Sequence, residues 1–233
     1  MAVTEVGCMT VKLGVDVIDE NTPGGKILVT AWKEATSQPT GPYRIYWGLE
    51  VENPTNIWAF FDFASVEEHE KFAKEHGVHI VKDFNKIVDS GVFTKHLDLK
   101  PYPPTALKSP VTEIMLAWFA SDISSEVKDA NTKKLELFAE KGLKGCSDIQ
   151  TINLGWGVEN DFPVRGGEEG EKGSLASMLI GWPSIDAHMK FRDTEEFKEA
   201  VPLIRSLEGL KKLTMFHVKC QVLENLTRQE YGS

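Results

Sequence analysis

The sequence predicts an α+β protein in which two tandem β-α-β-β-α-β repeats pack their antiparallel sheets into an intramolecular α+β barrel. The first observation is a repeat, because the stretch 63–72 returns at 182–191 with Ser, a β-branched residue, an acid, His, Lys and Phe in the same order. Shorter echoes keep that order too: Val-Thr-Glu-Val at 3–6 with Val-Thr-Glu-Ile at 111–114, and Val-Glu-Asn at 51–53 and 158–160. Self-similarity at a fixed period indicates one supersecondary unit built twice.

The second observation is that the predicted strands carry bulk on both faces. In the run 56–63, Ile57 and Ala59 alternate with Trp58 and Phe60. Helices can cover only one face of such a sheet, so the other face needs a partner, and the sheet of the second repeat is available. Two curved sheets that pack face to face make a barrel.

The first repeat opens with a predicted strand over 3–13, which is rich in Val and Thr. Thr22 and Pro23 then predict a helix start, because Thr accepts hydrogen bonds at the N-cap and Pro suits the first helical position. The Pro- and Gly-containing segment 39–42 ends this helix.

A hairpin follows, with strands predicted over 44–51 and 56–63. Ser65 and Glu68 have the spacing of a capping box, which predicts the start of the second helix. A strand over 92–99 completes the β-α-β-β-α-β unit.

The segment 101–110 is rich in proline and has no apolar period, so we predict an extended linker between a first repeat at 1–100 and a second at 111–225. The second repeat follows the same order. Its predicted elements are strands over 111–120, 149–158 and 174–182, a helix before Gly142, helices within 184–207 and a last strand over 210–223. Its hairpin loop, 159–173, resembles a phosphate loop, but it joins strands and carries carboxylates, so we interpret it as a solvated hairpin or a flap.

Composition excludes several classes of partner. The chain has 233 residues, 26 Lys and Arg against 35 Asp and Glu, and a net charge of −9 without a basic stripe. Nucleic acid and anionic membranes are therefore not expected as partners. Without a signal sequence or an apolar run of about 20 residues, a soluble cytoplasmic protein is expected. Three widely spaced cysteines predict reduced thiols rather than disulfides or a metal site.

Motifs of the first repeat resemble a known family. Tyr-Trp-Gly at 46–48, Val-Glu at 51–52, and the strand that runs into Phe-Ala-Ser-Val-Glu-Glu-His at 63–69 are similar to the dimeric α+β barrel superfamily. The likeness is to antibiotic-biosynthesis-monooxygenase (ABM) domain proteins with ferredoxin-like repeats, including fungal members fused in tandem. It covers nearly the whole chain and implies a pseudo-dimer within one chain, with a further homo-oligomer left open.

The resemblance also implies a function in secondary metabolism. It suggests a cofactor-independent monooxygenase, or a cyclase, that removes a proton from an aromatic or polyketide-like small molecule. Two alternatives stay open: a haem-binding barrel protein, and a non-catalytic small-molecule binder or stress-related protein. Because fold alone does not decide among these, the site has to be argued from residues.

Aromatic side chains are the candidate substrate-binding residues. A barrel interior suits a flat aromatic ligand, and core packing is the alternative role for each of these residues. The candidates are Tyr46, Trp47, Trp58, Trp118 and Trp156.

Histidines and one carboxylate are the candidate catalytic residues. His69 and His188 recur in both repeats on apolar helix faces, so we predict packed, hydrogen-bonded rings in preference to a base or metal ligand. His79 has no counterpart in the second repeat and resembles the base of the polyketide cyclase branch, so it is the predicted base, with a solvated loop position as the alternative. Asp62, which shares a strand face with Trp58, is the reserve base. No metal and no cofactor are expected.

Overall fold

The computed structural model describes residues 1–228, which form two compact units. Of the described residues, unit 1 contains 1–96 and 219–228, and unit 2 contains Leu97–Val218. The described residues contain no helix long and apolar enough to cross a membrane. All three cysteines are free thiols.

The elements of unit 1 come from the first repeat and from the end of the chain. They are β1 Val3–Val11, α1 Pro23–Ser37, β2 Arg44–Leu49, β3 Asn56–Phe63, α2 Val66–Phe72, the single turn α3 Val78–Ile80, β4 Val88–Lys100, which runs on into unit 2, and β10 Gln221–Glu224. A π-helical turn, Ala73–Gly77, joins α2 to α3, and a 3-10 turn at Phe84–Lys86 precedes β4.

The elements of unit 2 follow the second repeat. They are β5 Val111–Phe119, α4 Ser125–Phe138, β6 Thr151–Gly157, β7 Phe162–Pro163, β8 Lys172–Trp182, α5 Ile185–Arg192, α6 Glu195–Arg205 and β9 Lys212–Val218. A 3-10 turn, Thr105–Lys108, precedes β5, and a π-helical turn, Ala139–Leu143, extends α4.

The predicted helix starts are confirmed by their caps. The Thr22 hydroxyl accepts a hydrogen bond from the Gly25 amide at 3.0 Å, with Pro23 in the first turn of α1. In α2, the Glu68 amide donates to the Ser65 hydroxyl at 3.2 Å and the Glu68 carboxylate accepts from the Ala64 amide at 2.9 Å. This capping box fixes the direction in which α2 leaves β3, and therefore where its first turn lies.

The sheet of unit 1 has the order β10-β2-β3-β1-β4, with antiparallel pairing of β1 to β3 and of β2 to both β3 and β10. One face packs on the helices through Ile45, Ile57, Ala59 and Phe63. The alternate positions, Trp58 and Phe60 among them, are also buried. Both faces are therefore covered, as the sequence predicts.

The sheet of unit 2 has the order β6-β8-β5-β9, with β7 on β8 and the last four residues of β4 beside β6. Its helix-facing core contains Met115, Leu135, Phe138, Met178 and Trp182. In the 159–173 loop, Phe162 is buried and pairs with Gly173, so the loop is a short hairpin anchored by an aromatic side chain.

Two predicted segments differ from the structure. The 101–110 segment is not extended throughout, because it contains a 3-10 turn that buries Ala106. The Ala106 amide donates to Asn153 Oδ1 at 2.9 Å, and its carbonyl accepts from Thr112 Oγ1 at 2.7 Å. The last strand, predicted as one element over 210–223, is interrupted at 219–220. Its first part is β9 in unit 2, and its second part, β10, pairs with β2 in unit 1.

Candidate active site

A buried Glu–His–His chain occurs in unit 1. Glu5 Oε2 lies 3.1 Å from His69 Nε2, and His69 Nδ1 lies 2.7 Å from His96 Nε2. Glu5 comes from β1, His69 from the first turns of α2, and His96 from β4. The capped start of α2 at the end of β3 brings the imidazole back over the sheet, where the side chains of β1 and β4 meet it.

Unit 2 contains the same chain. Glu113 Oε2 lies 3.3 Å from His188 Nε2, and His188 Nδ1 lies 2.7 Å from His217 Nε2. Glu113 stands opposite His217 in the pairing of β5 with β9. The packed, hydrogen-bonded state predicted for His69 and His188 is therefore observed, together with a carboxylate partner that the sequence analysis did not assign.

The chain is suited to taking up a proton. A Glu5 carboxylate accepts from the Nε2–H of His69, and the short contact between the two rings holds one proton whose position depends on the tautomer. A carboxylate, an imidazole and a second imidazole in series are the groups that general-base catalysis uses most often.

A cavity of about 360 Å³ adjoins this chain in unit 1. Glu5 and His69 lie in its wall, and the rest of the lining is almost entirely apolar, with aromatic rings from Trp32, Phe61, Phe63, Phe72 and Phe84. An apolar cavity of this size with a few convergent polar groups is typical of a small-molecule site.

Small residues on two strands make room for this cavity. Gly7 and Ala59 are cross-strand partners on β1 and β3, and both line the cavity. In unit 2 the residue two positions after Glu113 is Met115, as Gly7 is two positions after Glu5, and Met115 pairs with Met178 across the strands. The corresponding cavity of unit 2, lined in part by Met115, has a volume of about 190 Å³.

Trp32 adds an unused hydrogen-bond donor to the unit 1 cavity. Its side chain is buried, with edge-to-face contacts to Phe61 and Phe84 at centroid distances of 5.0 and 5.4 Å. Its indole Nε1 has no acceptor within residues 1–228. Buried donors are nearly always paired, so Trp32 is an exception among the residues that line this cavity.

In unit 2 the acid–base pair is covered by Trp182. Its ring stacks on His188 at 4.9 Å with an interplanar angle of 24°, and its Nε1 donates to Glu113 Oε2 at 3.1 Å. The side chains of His188 and Glu113 are 4% and 6% exposed, against 14% and 11% for His69 and Glu5. Unit 1 therefore has the more accessible pair and the larger cavity.

The predicted bases lie elsewhere. His79 is two-thirds exposed, and its Nε2 lies 2.8 Å from Glu34 Oε1, while its neighbours Gly77 and Ile80 line the unit 1 cavity and it does not. Asp62 is fully buried, accepts from Thr4 Oγ1 at 2.9 Å and forms an ion pair with Arg44 at 3.4 Å. That pairing compensates its charge within the sheet, on the face opposite the cavity.

The five predicted aromatic residues do not line the unit 1 cavity. Tyr46, Trp58 and Trp118 alternate along their strands with the helix-packed residues, so they lie on the opposite faces. Trp47 lines an outer cleft beside β10, and the Trp156 indole donates to a threonine of α4 at 2.8 Å. Their substrate-binding role stays a prediction.

His69 and His188, as they are hydrogen-bonded here, do not fit the role of a haem ligand. A haem iron needs a free imidazole nitrogen, and both ring nitrogens of His69 and of His188 are already hydrogen-bonded. Iron ligation by either residue would break its Glu–His–His chain.

Comparisons with known proteins give a fold but no family. No protein-family model and no curated protein match the chain. A candidate monooxygenase from Fusobacterium nucleatum matches with a TM-score of 0.61 and 10% identity, covering 100% of this chain and 98% of its own. An anthrone oxidase-like protein matches with a TM-score of 0.65 and 14% identity, covering 97% of this chain and 94% of its own. A candidate monooxygenase from Lactobacillus acidophilus matches with a TM-score of 0.60 and 10% identity, covering 96% of both chains.

The fold of this chain is thus similar to the fold of these three structures. Coverage of 94–100% in both directions means that the likeness extends over both units of this chain and not one alone. Identities of 10 to 14% establish the fold and leave the activity to be argued from the site.

Proposed function

We propose that this chain is a small-molecule enzyme that removes a proton from a phenolic or polyketide-like aromatic compound in the cavity of unit 1. The observation that carries the proposal is the Glu5–His69 pair in the wall of an apolar cavity, with His96 behind it. Because both ring nitrogens of His69 are already hydrogen-bonded, the Glu5 carboxylate would receive the proton, and His69, held by His96, would position that carboxylate.

The cavity also supplies an electrostatic partner for the anion. Removing a proton next to a carbonyl or from a phenol places negative charge on oxygen. Trp32 Nε1–H, which lacks an acceptor within residues 1–228, would donate to that oxygen. A preorganised donor in a water-poor site stabilises such charge more than water does.

The subsequent reaction is oxygenation or cyclisation. In the oxygenation of a ring CH₂ group, the carbanion transfers electrons to dioxygen, one oxygen atom remains as the new C=O and the other leaves as water with the two hydrogens. Dioxygen is the oxidant in this sequence, and the protein supplies deprotonation and binding.

Anthrone is a suitable probe, because its central CH₂ is acidified by a carbonyl and its oxidation by dioxygen gives anthraquinone and water. We expect oxygen consumption and quinone absorbance with the wild-type chain, and a rate lower by about 10²–10⁴-fold for Glu5→Gln, the usual contribution of a general base. His79→Ala is the matched control and should stay within about twofold.

Other outcomes would contradict parts of the proposal. Loss of rate in His79→Ala with a normal rate in Glu5→Gln would assign the base to His79 of α3 instead. Stabilisation by aromatic ligands without turnover by the wild-type chain would favour the non-catalytic binding alternative.

A further inference from the structure

The smaller cavity of unit 2 differs in charge from its counterpart. Its lining includes two arginines, Arg192 at the end of α5 and Arg205 at the end of α6. The lining of the unit 1 cavity contains no arginine or lysine. Both arginines are exposed, and neither has an ion-pair partner in the described part of the chain. These two arginines place positive charge beside the cavity, in a chain whose net charge is −9.

The interior of this cavity is apolar and aromatic. Phe138, Phe191 and Phe197 contribute rings to it, with edge-to-face pairs at 5.5 and 6.3 Å. Its one carboxylate, Glu113, already accepts from Trp182 Nε1 and contacts His188. A volume of about 190 Å³ is slightly larger than the roughly 150 Å³ that holds benzene in an engineered core cavity.

We propose that the unit 2 cavity is a binding site for a single-ring aromatic carboxylate. The ring would lie among the phenylalanines, and the carboxylate would remain at the mouth, where Arg192 and Arg205 can each donate two parallel hydrogen bonds. Glu113 and His188, which also line this cavity, are already bonded to each other, and Glu113 also accepts from Trp182 Nε1. This site is independent of the catalytic proposal for unit 1.

The test compares benzoate with benzyl alcohol, which has the same ring and no charge, by isothermal titration calorimetry on the full chain. We expect the wild type to bind benzoate at least tenfold more tightly, and higher salt to reduce that preference by screening the exposed charges. The double variant Arg192→Gln/Arg205→Gln should lose the preference.

Two control variants locate the site. Lys190→Gln removes an exposed charge of α5 that does not line the cavity, and Trp32→Phe alters the cavity of unit 1. Both should keep the benzoate preference. Equal affinity for the two ligands, a preference that survives the double variant, or its loss in Trp32→Phe would each overturn the proposal. Lower stability of the double variant with an unchanged preference would show that the arginines only offset the negative ends of their helices.

Discussion

At the residue scale, the two Glu–His–His chains differ in the residues beside them. In unit 1 His69 packs on Phe63, and Gly7 is paired with Ala59 on the neighbouring strands. In unit 2 His188 stacks on Trp182, and Met115 is paired with Met178. These substitutions change the cavity volume and the access to the imidazole, while the chain geometry stays the same. One repeat can thus keep an acid–base pair exposed to a ligand and the other can shield it.

Tyr46 provides a stability test at the same scale. Its hydroxyl is buried without an acceptor among residues 1–228, and burial, followed by the charge of Asp62, raises the pKa of the phenol above its ordinary value of 10.0. Tyr46→Phe removes the unsatisfied group and keeps the ring. We expect equal stability at pH 7 or a gain of about 1 kcal/mol, measured by urea unfolding.

The pH dependence of Tyr46→Phe follows from the raised pKa. Above pH 10 the unfolded chain ionises this phenol and the folded chain does not, so the wild type loses stability as pH rises beyond that value. The variant should show a shallower decline between pH 9 and pH 11. A parallel decline, or a loss of more than 1 kcal/mol at pH 7, would show that the hydroxyl has a stabilising partner.

At the element scale, Trp182 joins the end of β8 to helix α5. It is fully buried, stacks on His188 and lies 5.5 Å from the ring of Phe191. Trp182→Ala should lower the free energy of unfolding by about 3–5 kcal/mol, the usual cost for a buried Trp. The measurement is the denaturation midpoint.

Phe63→Ala, the matched change at the end of β3, should also be destabilising, because Phe63 packs on His69 and Phe72 of α2. Trp182→Phe retains an aromatic ring, as unit 1 does with Phe63 at the equivalent position. It should therefore lower the free energy of unfolding less than Trp182→Ala does. An unchanged midpoint in either Ala variant would contradict the packing of helix on strand.

The local elements were largely predictable because their signals are local. Thr22 with Pro23 and Ser65 with Glu68 each fix a helix start within a few residues of sequence. The break at 219–220 could not be predicted, because residues 210–223 contain no glycine or proline to mark it. Only the pairing of residues 221–224 with β2 shows that the end of this segment belongs to unit 1. The 3-10 turn in the linker likewise depends on Asn153, which is distant in sequence.

The site was predictable only in part. His69 was identified, but its recurrence on an apolar helix face indicated packing alone. Its partners carried the same signal, since Glu5 recurs as Glu113 and His96 as His217. Recurrence of all three residue types, taken together, would have indicated the chain. The aromatic count was a poor guide, because strand alternation places the predicted rings on different faces.

At the scale of the whole molecule, β10 makes unit 1 dependent on the end of the sequence. A chain ending at Val218 lacks β10 and leaves the edge of β2 unpaired, so we expect lower stability and aggregation. A chain ending at Arg228 is the matched control, because it keeps β10 and the contact of Arg228 with Tyr43. Light scattering and thermal unfolding should show a monomer with wild-type stability for the control.

The same comparison tests the pseudo-dimer prediction. A fragment of residues 1–100 contains the first repeat without β10. If that fragment and a fragment of residues 111–233 were each stable, soluble monomers, the intramolecular barrel would be the wrong interpretation.

The pairing of β10 with β2 also orders events during synthesis. Residues 1–96 leave the ribosome first, but the strand that completes their sheet is made 125 positions later, from His96 to Gln221 (221 − 96). At about 5–20 residues per second, the nascent first unit waits roughly 6 to 25 s with β2 as an open edge. The part of the protein that is translated first is therefore the last to be finished, and its need for chaperone protection should be greatest while the second repeat is being made.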